Sequence, residues 1–204
     1  MEIEKIMKKL SDRTPNLLGS DSYSRYAVLI PLIMEDDQVK ILFEVRSMDL
    51  RRQPGEICFP GGRIDPTDKN ERETAIRETI EELGSEDLNV TNVVPLDFMV
   101  NGFRSIIYPF VGTITNPEKI NPNPMEVGEI FTVPLALLKE MEPSVHHVNL
   151  KVVPGEGFPF DKIPGGVNYN WQDRSMDEYF YFYKDKTIWG LTARILTHFL
   201  QLIE

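Results

Sequence analysis

The chain has 204 residues, a formal net charge of −10 and 41% hydrophobic residues. That length suits one domain spanning 1–204, with enough apolar content for a substantial core. The acidic balance excludes nonspecific binding to nucleic acid or to an anionic membrane, which need a basic surface. It leaves room for an anionic small molecule, because bound cations reverse the local field. Cys58 is the single cysteine, so no internal disulfide forms. It lies in an apolar run and reads as a small buried residue in a reducing compartment. The chain shows no signal-peptide core, no membrane-length apolar run and no peroxisomal C-terminal address, and a cytoplasmic location is expected.

Residues 1–20 read as a helix and linker. EIEKIMKKL spaces Ile3, Ile6, Met7 and Leu10 amphipathically, and Thr14-Pro15 breaks the pattern. This helix is either a cap docked on the domain, the simpler assignment, or a contact in a homodimer. Tyr26–Ile33 is a buried strand by length and content, with Pro31 expected at an edge or bulge. Glu35-Asp36-Asp37 makes a turn into a second strand, Val39–Val45. Arg46, Arg51 and Arg52 follow in a loop leading to Pro54-Gly55. Their planar forks suit phosphate; a solvated loop with snorkelling arginines is the equal alternative.

The densest information lies in residues 55–84. A helical period places Ile76, Thr79, Ile80 and Leu83 on one side and Glu78, Glu81 and Glu82 on the other, with Glu71 close to them. Four residues after Glu78, Glu81 and Glu82 come Glu82, Ser85 and Glu86, none of them basic. Only Arg77 offers a partner, and like charges at this spacing destabilise an isolated helix. A hard divalent cation such as Mg²⁺ removes the repulsion and sits readily between carboxylates and substrate phosphates; a Glu-rich solvated face is the plain alternative. Gly61-Gly62 makes a tight turn ahead of the helix, where carbonyls can approach a metal. Asp68 with Glu71 reads as an N-cap and its third-position partner, and Gly84 as the stop.

Beyond the helix, Val90–Met99 and Ile106–Ile114 read as strands, with a turn at Asn101-Gly102. A loop over residues 121–129 leads into Ile130–Val133 and offers Glu126, with Glu129 as competitor, as a loop-borne acid. Leu135–Leu138 opens a short helix. His146-His147 point in different directions on a strand and read as structural. Residues 154–177 form a long loop, either a lid or a mobile insertion. Glu178–Tyr183 is an aromatic strand, and a closing helix occupies 186–204.

Gly62…Arg77-Glu78-Thr79-Ile80-Glu81-Glu82-Leu83-Gly84 resembles the Nudix box, with one extra residue between glycine and arginine. The box's middle acid then falls on Asp68 counted forward or Lys69 counted back. Leu42, Arg46-Ser47, Arg51, Gly55 and Phe59-Pro60-Gly61-Gly62, with Asp65-Pro66-Thr67-Asp68, resemble the coenzyme A pyrophosphatase branch. Asn123-Pro124-Met125-Glu126-Val127 and Ile188-Trp189-Gly190 with Thr192-Ala193 are similar to further stretches of that branch. The resemblance implies an α/β/α sandwich with a mixed sheet (α/β, α+β). It also implies Mg²⁺- or Mn²⁺-dependent hydrolysis of coenzyme A or an acyl derivative to 3′,5′-ADP and a 4′-phosphopantetheine. In that scheme Glu78 and Glu82 are metal ligands, and Glu81 is a third ligand or the partner that orients Arg77. The Gly61 carbonyl adds a ligand, and Glu126 is the base. Arg46, Arg51, Arg52 and Gly62 hold substrate. ADP-ribose or NADH as substrate, a noncatalytic nucleotide-sensing module, and a ligand-free scaffold are the alternatives.

Overall fold

A computed structural model describes residues 3–84, 87–102 and 104–204. In chain order the elements are α1 (Ile3–Leu10), β1 (Ser24–Glu35), β2 (Gln38–Arg46), β3 (Ile57–Cys58), β4 (Gly61–Arg63), α2 (Glu71–Glu82), β5 (Val90–Pro95), β6 (Met99–Asn101), β7 (Ser105–Ile114) and β8 (Val127–Pro134). They continue with α3 (Leu135–Glu140), β9 (Ser144–Leu150), β10 (Arg174–Tyr183), β11 (Lys186–Trp189) and α4 (Gly190–Leu202).

The main sheet runs β3-β2-β1-β7-β5, with β4 on β1, β6 on β7 and β8 on β2. It is mixed, because β1 and β7 are parallel while β1 and β2 form a hairpin. Along one edge, β1 changes partner. Tyr26–Val28 pair with β4, and Leu32–Glu35 pair with β2. Pro31 falls in the gap between those partners. Leu29, two residues earlier on the same edge, gives its N–H to Pro60. The missing donor of Pro31 therefore costs no ladder bond even though β1 is an interior strand.

Strand alternation sorts the core into two layers. Ala27, Leu29 and Ile33 of β1 and Leu42 of β2 face α2, where they meet Ala75 and Leu83. Ile30, Ile41 and Phe43 face the other way, onto Ala193, Leu196 and Phe199 of α4 and onto Tyr181 and Ile188. Those last two belong to a second sheet, β11-β10-β9. The result is the expected mixed sheet layered between helices.

Several boundaries differ from the sequence reading. Residues 186–189, assigned to the closing helix, form β11 and pair with Phe180–Tyr183; the helix starts at Gly190. Residues 174–177, assigned to the long loop, extend β10 because Arg174–Asp177 find partners on β9. The single strand over 90–99 is two strands, β5 and β6, both pairing with β7. The N-cap of α2 is Asn70, which accepts from the Glu73 N–H at 3.0 Å while Glu73 reaches back to the Lys69 N–H at 2.6 Å. The cap motif is real but sits two residues later than the Asp68–Glu71 assignment. The cap role of α1 also fails: none of its residues is buried, and Ile3 and Met7 are 77% and 60% exposed.

Candidate active site

Three segments converge on the face of the sheet that carries α2. The first is the Gly61-Gly62 turn. Gly61 donates its N–H to Glu82 Oε2 at 2.7 Å, and its φ of +151° belongs to the region glycine favours. At Gly62 a Cβ would stand 2.5 Å from Glu78 Oε1, so the Glu78 carboxylate lies directly on the glycine backbone. The second segment is α2 itself, whose spacing places Glu78 and Glu82 side by side over that turn. The third is the loop before β8. Asn121 and Asn123 give their N–H groups to the carbonyls of Leu83 and Glu82, each at 2.9 Å, and so satisfy the C-terminal end of α2. The same clamp carries Glu126, whose carbonyl takes the Ser47 N–H at 2.8 Å and whose carboxylate takes Asn123 Nδ2 at 3.2 Å.

Beneath them, β2 contributes a residue not singled out from the sequence. Glu44 shares the α2-facing side of β2 with Leu42 and Arg46, and it pairs in register with Cys58 of β3. Its side chain is 1% exposed. Burial raises its carboxyl well above the ordinary range, and the charges of Glu82 and Glu126 add to this. Burial likewise pushes Glu82 up to about 8, against the pull of the Gly61 N–H and with repulsion from Glu78 and Glu126. Glu78 is raised by burial and partly relieved by Arg77. The Cys58 thiol, pushed up to about 12 by burial and then by Glu44 and Glu82, is inert as a nucleophile.

Arg77 occupies the outer side of this wall. Asp68 holds it through two hydrogen bonds, 3.0 Å to Nε and 2.9 Å to Nη2, and Glu81 takes Nη1 at 3.0 Å. Glu78 Oε1 lies 2.9 Å from the same Nη1. The Asp68 side chain is 4% exposed, and Arg77 holds its carboxyl far below the ordinary value. Of the two positions counted for the middle acid, Asp68 is the one that grips Arg77, while Lys69 pairs with Glu73. Glu71 pairs with Arg25 and stands outside the cluster.

The remaining candidates separate by face. Glu129 lies on the opposite side of the sheet from α2, where Lys186 of β11 holds it at 2.6 Å. Arg46 closes β2 beside Glu44, with its Nε buried and without a hydrogen-bond partner. Arg51 and Arg52 are exposed in the loop between β2 and β3. His147 pairs with Asp177 and His146 with Ser144, and both serve β9–β10.

The chemistry of the donors fits a hard divalent cation: all are oxygens, their charges repel one another, and Glu44 Oε1 is sealed from solvent without a partner. As the side chains stand, no three His, Cys, Asp or Glu among the described residues are grouped closely enough to hold an ion, so waters and substrate phosphates would complete the shell of a Mg²⁺ bound here. Across the β2–β3 ribbon lies a cleft of about 550 Å³ between Val45, Pro54 and Ile57 on one side and Phe180, Lys186 and Trp189 on the other. The rings of Phe180 and Trp189 stack at 5.9 Å, and Thr192 of α4 binds the Ile57 carbonyl at 3.0 Å, fixing the ribbon.

Comparison with known proteins places the chain in a family. The NUDIX domain family model matches residues 23–154, and the chain belongs to the Nudix hydrolase family. A Caenorhabditis elegans protein named peroxisomal coenzyme A diphosphatase ndx-8 is 39% identical over 168 residues, covering 78% of this chain and 69% of that one. The mouse peroxisomal coenzyme A diphosphatase NUDT7 is 35% identical over 153 residues, 72% of this chain but only 64% of the mouse protein, just under two thirds of its length. The human mitochondrial coenzyme A diphosphatase NUDT8 is 29% identical over 187 residues, covering 87% and 68%. Among solved structures, a MutT/nudix family protein from Enterococcus faecalis superposes with a TM-score of 0.51 at 13% identity, over 100% of this chain and 70% of that one. That match speaks to the fold alone. No helix among the described residues is long and apolar enough to cross a membrane.

Proposed function

We propose that the chain hydrolyses the diphosphate bond of coenzyme A or an acyl-coenzyme A, with Mg²⁺ or Mn²⁺, to 3′,5′-ADP and 4′-phosphopantetheine or its acyl form. The observation that carries the reading is the seating of Glu78 and Glu82 on the Gly61-Gly62 turn with Glu126 clamped beside them. The choice of coenzyme A rests on the named relatives and on the run from Leu42 to Gly62.

When bound, a divalent cation neutralises phosphoryl oxygens, makes water more acidic and steadies the leaving group. Glu78 and Glu82 would hold it through carboxylate oxygens, and the Gly61 carbonyl would add a further one. Glu81, half-exposed and bonded to Arg77, serves as the orienting partner of Arg77, which in turn limits the motion of Glu78. Glu126 accepts the proton of the attacking water. Water adds to phosphorus, the bridging P–O bond breaks, and the leaving phosphate departs without a covalent enzyme intermediate. Arg46 at the end of β2 and the exposed Arg51 and Arg52 of the following loop would each be able to fork onto phosphate oxygens.

The test is incubation with coenzyme A, ADP-ribose, NADH and dinucleoside polyphosphates in Mg²⁺ or Mn²⁺, with products identified by mass. Coenzyme A should be cleaved best, to the two products named. Preferential cleavage of ADP-ribose removes the coenzyme A reading and keeps the hydrolase. Binding without turnover of any of them supports a nucleotide-sensing module instead.

A further inference from the structure

Glu44 has no role in the scheme above, yet it is the most completely enclosed acid of the site. Its residue is 1% exposed, and Oε1 has neither solvent contact nor a hydrogen-bond partner. Protonation does not resolve this, because a carboxyl oxygen without a neighbour is unmatched as donor and as acceptor alike. The groups that face it are Cys58 from β3, Glu82 from α2, Glu126 from the clamped loop and Arg46 from its own strand. Arg46 is the only cation of the four, and it makes no hydrogen bond to Glu44; its own Nε is buried and unmatched. A packing role is a poor account of a carboxylate at this position. Leu42, two residues earlier on the same side of β2, shows that the layer under α2 accepts an aliphatic side chain there.

We propose that Glu44 is a further ligand of the divalent cation held by Glu82, contributed from the floor of the site by β2. The assignment rests on the cation-dependent reading above. It makes the cation bridge the sheet and α2, so that the ion couples two layers of the fold as well as the carboxylates of one helix. The ligand class is a hard divalent ion, Mg²⁺ or Mn²⁺, bound through oxygen.

The experiment titrates Mn²⁺ into metal-free protein without substrate, counting free ion by electron paramagnetic resonance and following the melting temperature. The wild type, Glu44→Gln and Glu82→Gln are compared. Glu44→Gln should bind Mn²⁺ at least tenfold more weakly and lose most of the Mn²⁺-induced rise in melting temperature. Without metal it should melt close to the wild type, since glutamine has nearly the shape of the buried carboxyl it replaces. Mn²⁺ affinity within twofold of wild type overturns the assignment. If Glu44→Gln does not fold, Glu44→Asp keeps the charge and withdraws the oxygens by one methylene; it should weaken binding similarly, and unchanged affinity again overturns the proposal. A wild type that turns over with Mn²⁺ beside a Glu44→Gln that binds as tightly refutes this inference alone. A wild type that binds no Mn²⁺ refutes both it and the cation-dependent hydrolase.

Discussion

Alanine at Gly62 should separate catalysis from folding. The added Cβ would overlap Glu78 Cδ and both carboxylate oxygens, with even the farthest, Oε1, at 2.5 Å, so the carboxylate must retreat by about 1 Å to reach ordinary contact. Gly62 does not occupy the positive-φ region, and the obstructing atoms are the far end of a half-buried, flexible side chain. The fold can therefore absorb the change for about 1 kcal/mol, a shift of a few degrees in melting temperature. The reaction cannot, because a displacement of about 1 Å costs on the order of a hundredfold in rate, or ~2.7 kcal/mol of barrier. Gly61→Ala is the contrast. There φ is +151° and the Cβ would meet the Val28 Cα at 2.6 Å, backbone that cannot step aside, so stability itself should fall by about 2 kcal/mol or more. Thermal melts with steady-state hydrolysis of coenzyme A in Mn²⁺ distinguish the two. A Gly62→Ala protein with wild-type kcat/KM, or one destabilised as severely as Gly61→Ala, refutes the placement of Glu78.

The two acids flanking the start of β8 should behave differently: Glu126→Gln lowers kcat by roughly 10²–10⁴-fold, whereas Glu129→Gln, on the Lys186 side of the sheet, stays within about twofold. Asp68→Asn should lower stability by about 1.5–3 kcal/mol by breaking the charged hydrogen bonds to Arg77. Because the Asp68 carboxyl is held below its ordinary value, its stabilisation is present above about pH 4 and lost on acidification, so Asp68→Asn should also blunt the acid limb of a melting-temperature profile. In metal-free protein the Glu82 carboxyl, raised from 4.5 to about 8, has the opposite sign. Its stabilising proton is held fully below pH 4.5 and given up as pH rises toward 8, so the melting temperature falls across that window and Glu82→Gln makes the fall shallower, with Glu44 still contributing. A metal-free profile independent of the Glu82→Gln change would show that the carboxylate is not enclosed.

Much of the site is legible in sequence because it is local. The period of α2 places Glu78 and Glu82 on one face, and the glycine pair directly before it marks the turn they lie on. What escapes depends on distant contacts. Glu44 is one acid in the apolar run Ile41–Val45, and an alternating strand gives no sign that its polar position is buried until α2 and the 121–126 loop close over it. The expected cap pair, Asp68 with Glu71, and the observed one, Asn70 with Glu73, have the same spacing; Asn70 takes the cap because Arg77, nine residues beyond Asp68, claims that carboxylate. Ile188 and Trp189 suit a helix start by their neighbours, yet a hairpin with β10 claims them first. Glu129 is separated from the site by strand parity alone, since Ile130 beside it faces α2.

The central claim is that these carboxylates work by holding a cation against a diphosphate. The measurement that tests it most directly is turnover of coenzyme A by wild type and Glu82→Gln as Mg²⁺ or Mn²⁺ is added to metal-stripped protein. The account predicts turnover that requires the cation and falls by roughly three orders of magnitude or more in Glu82→Gln, with the fold retained. Turnover that survives chelation, or a Glu82→Gln protein that works at near the wild-type rate, would contradict it.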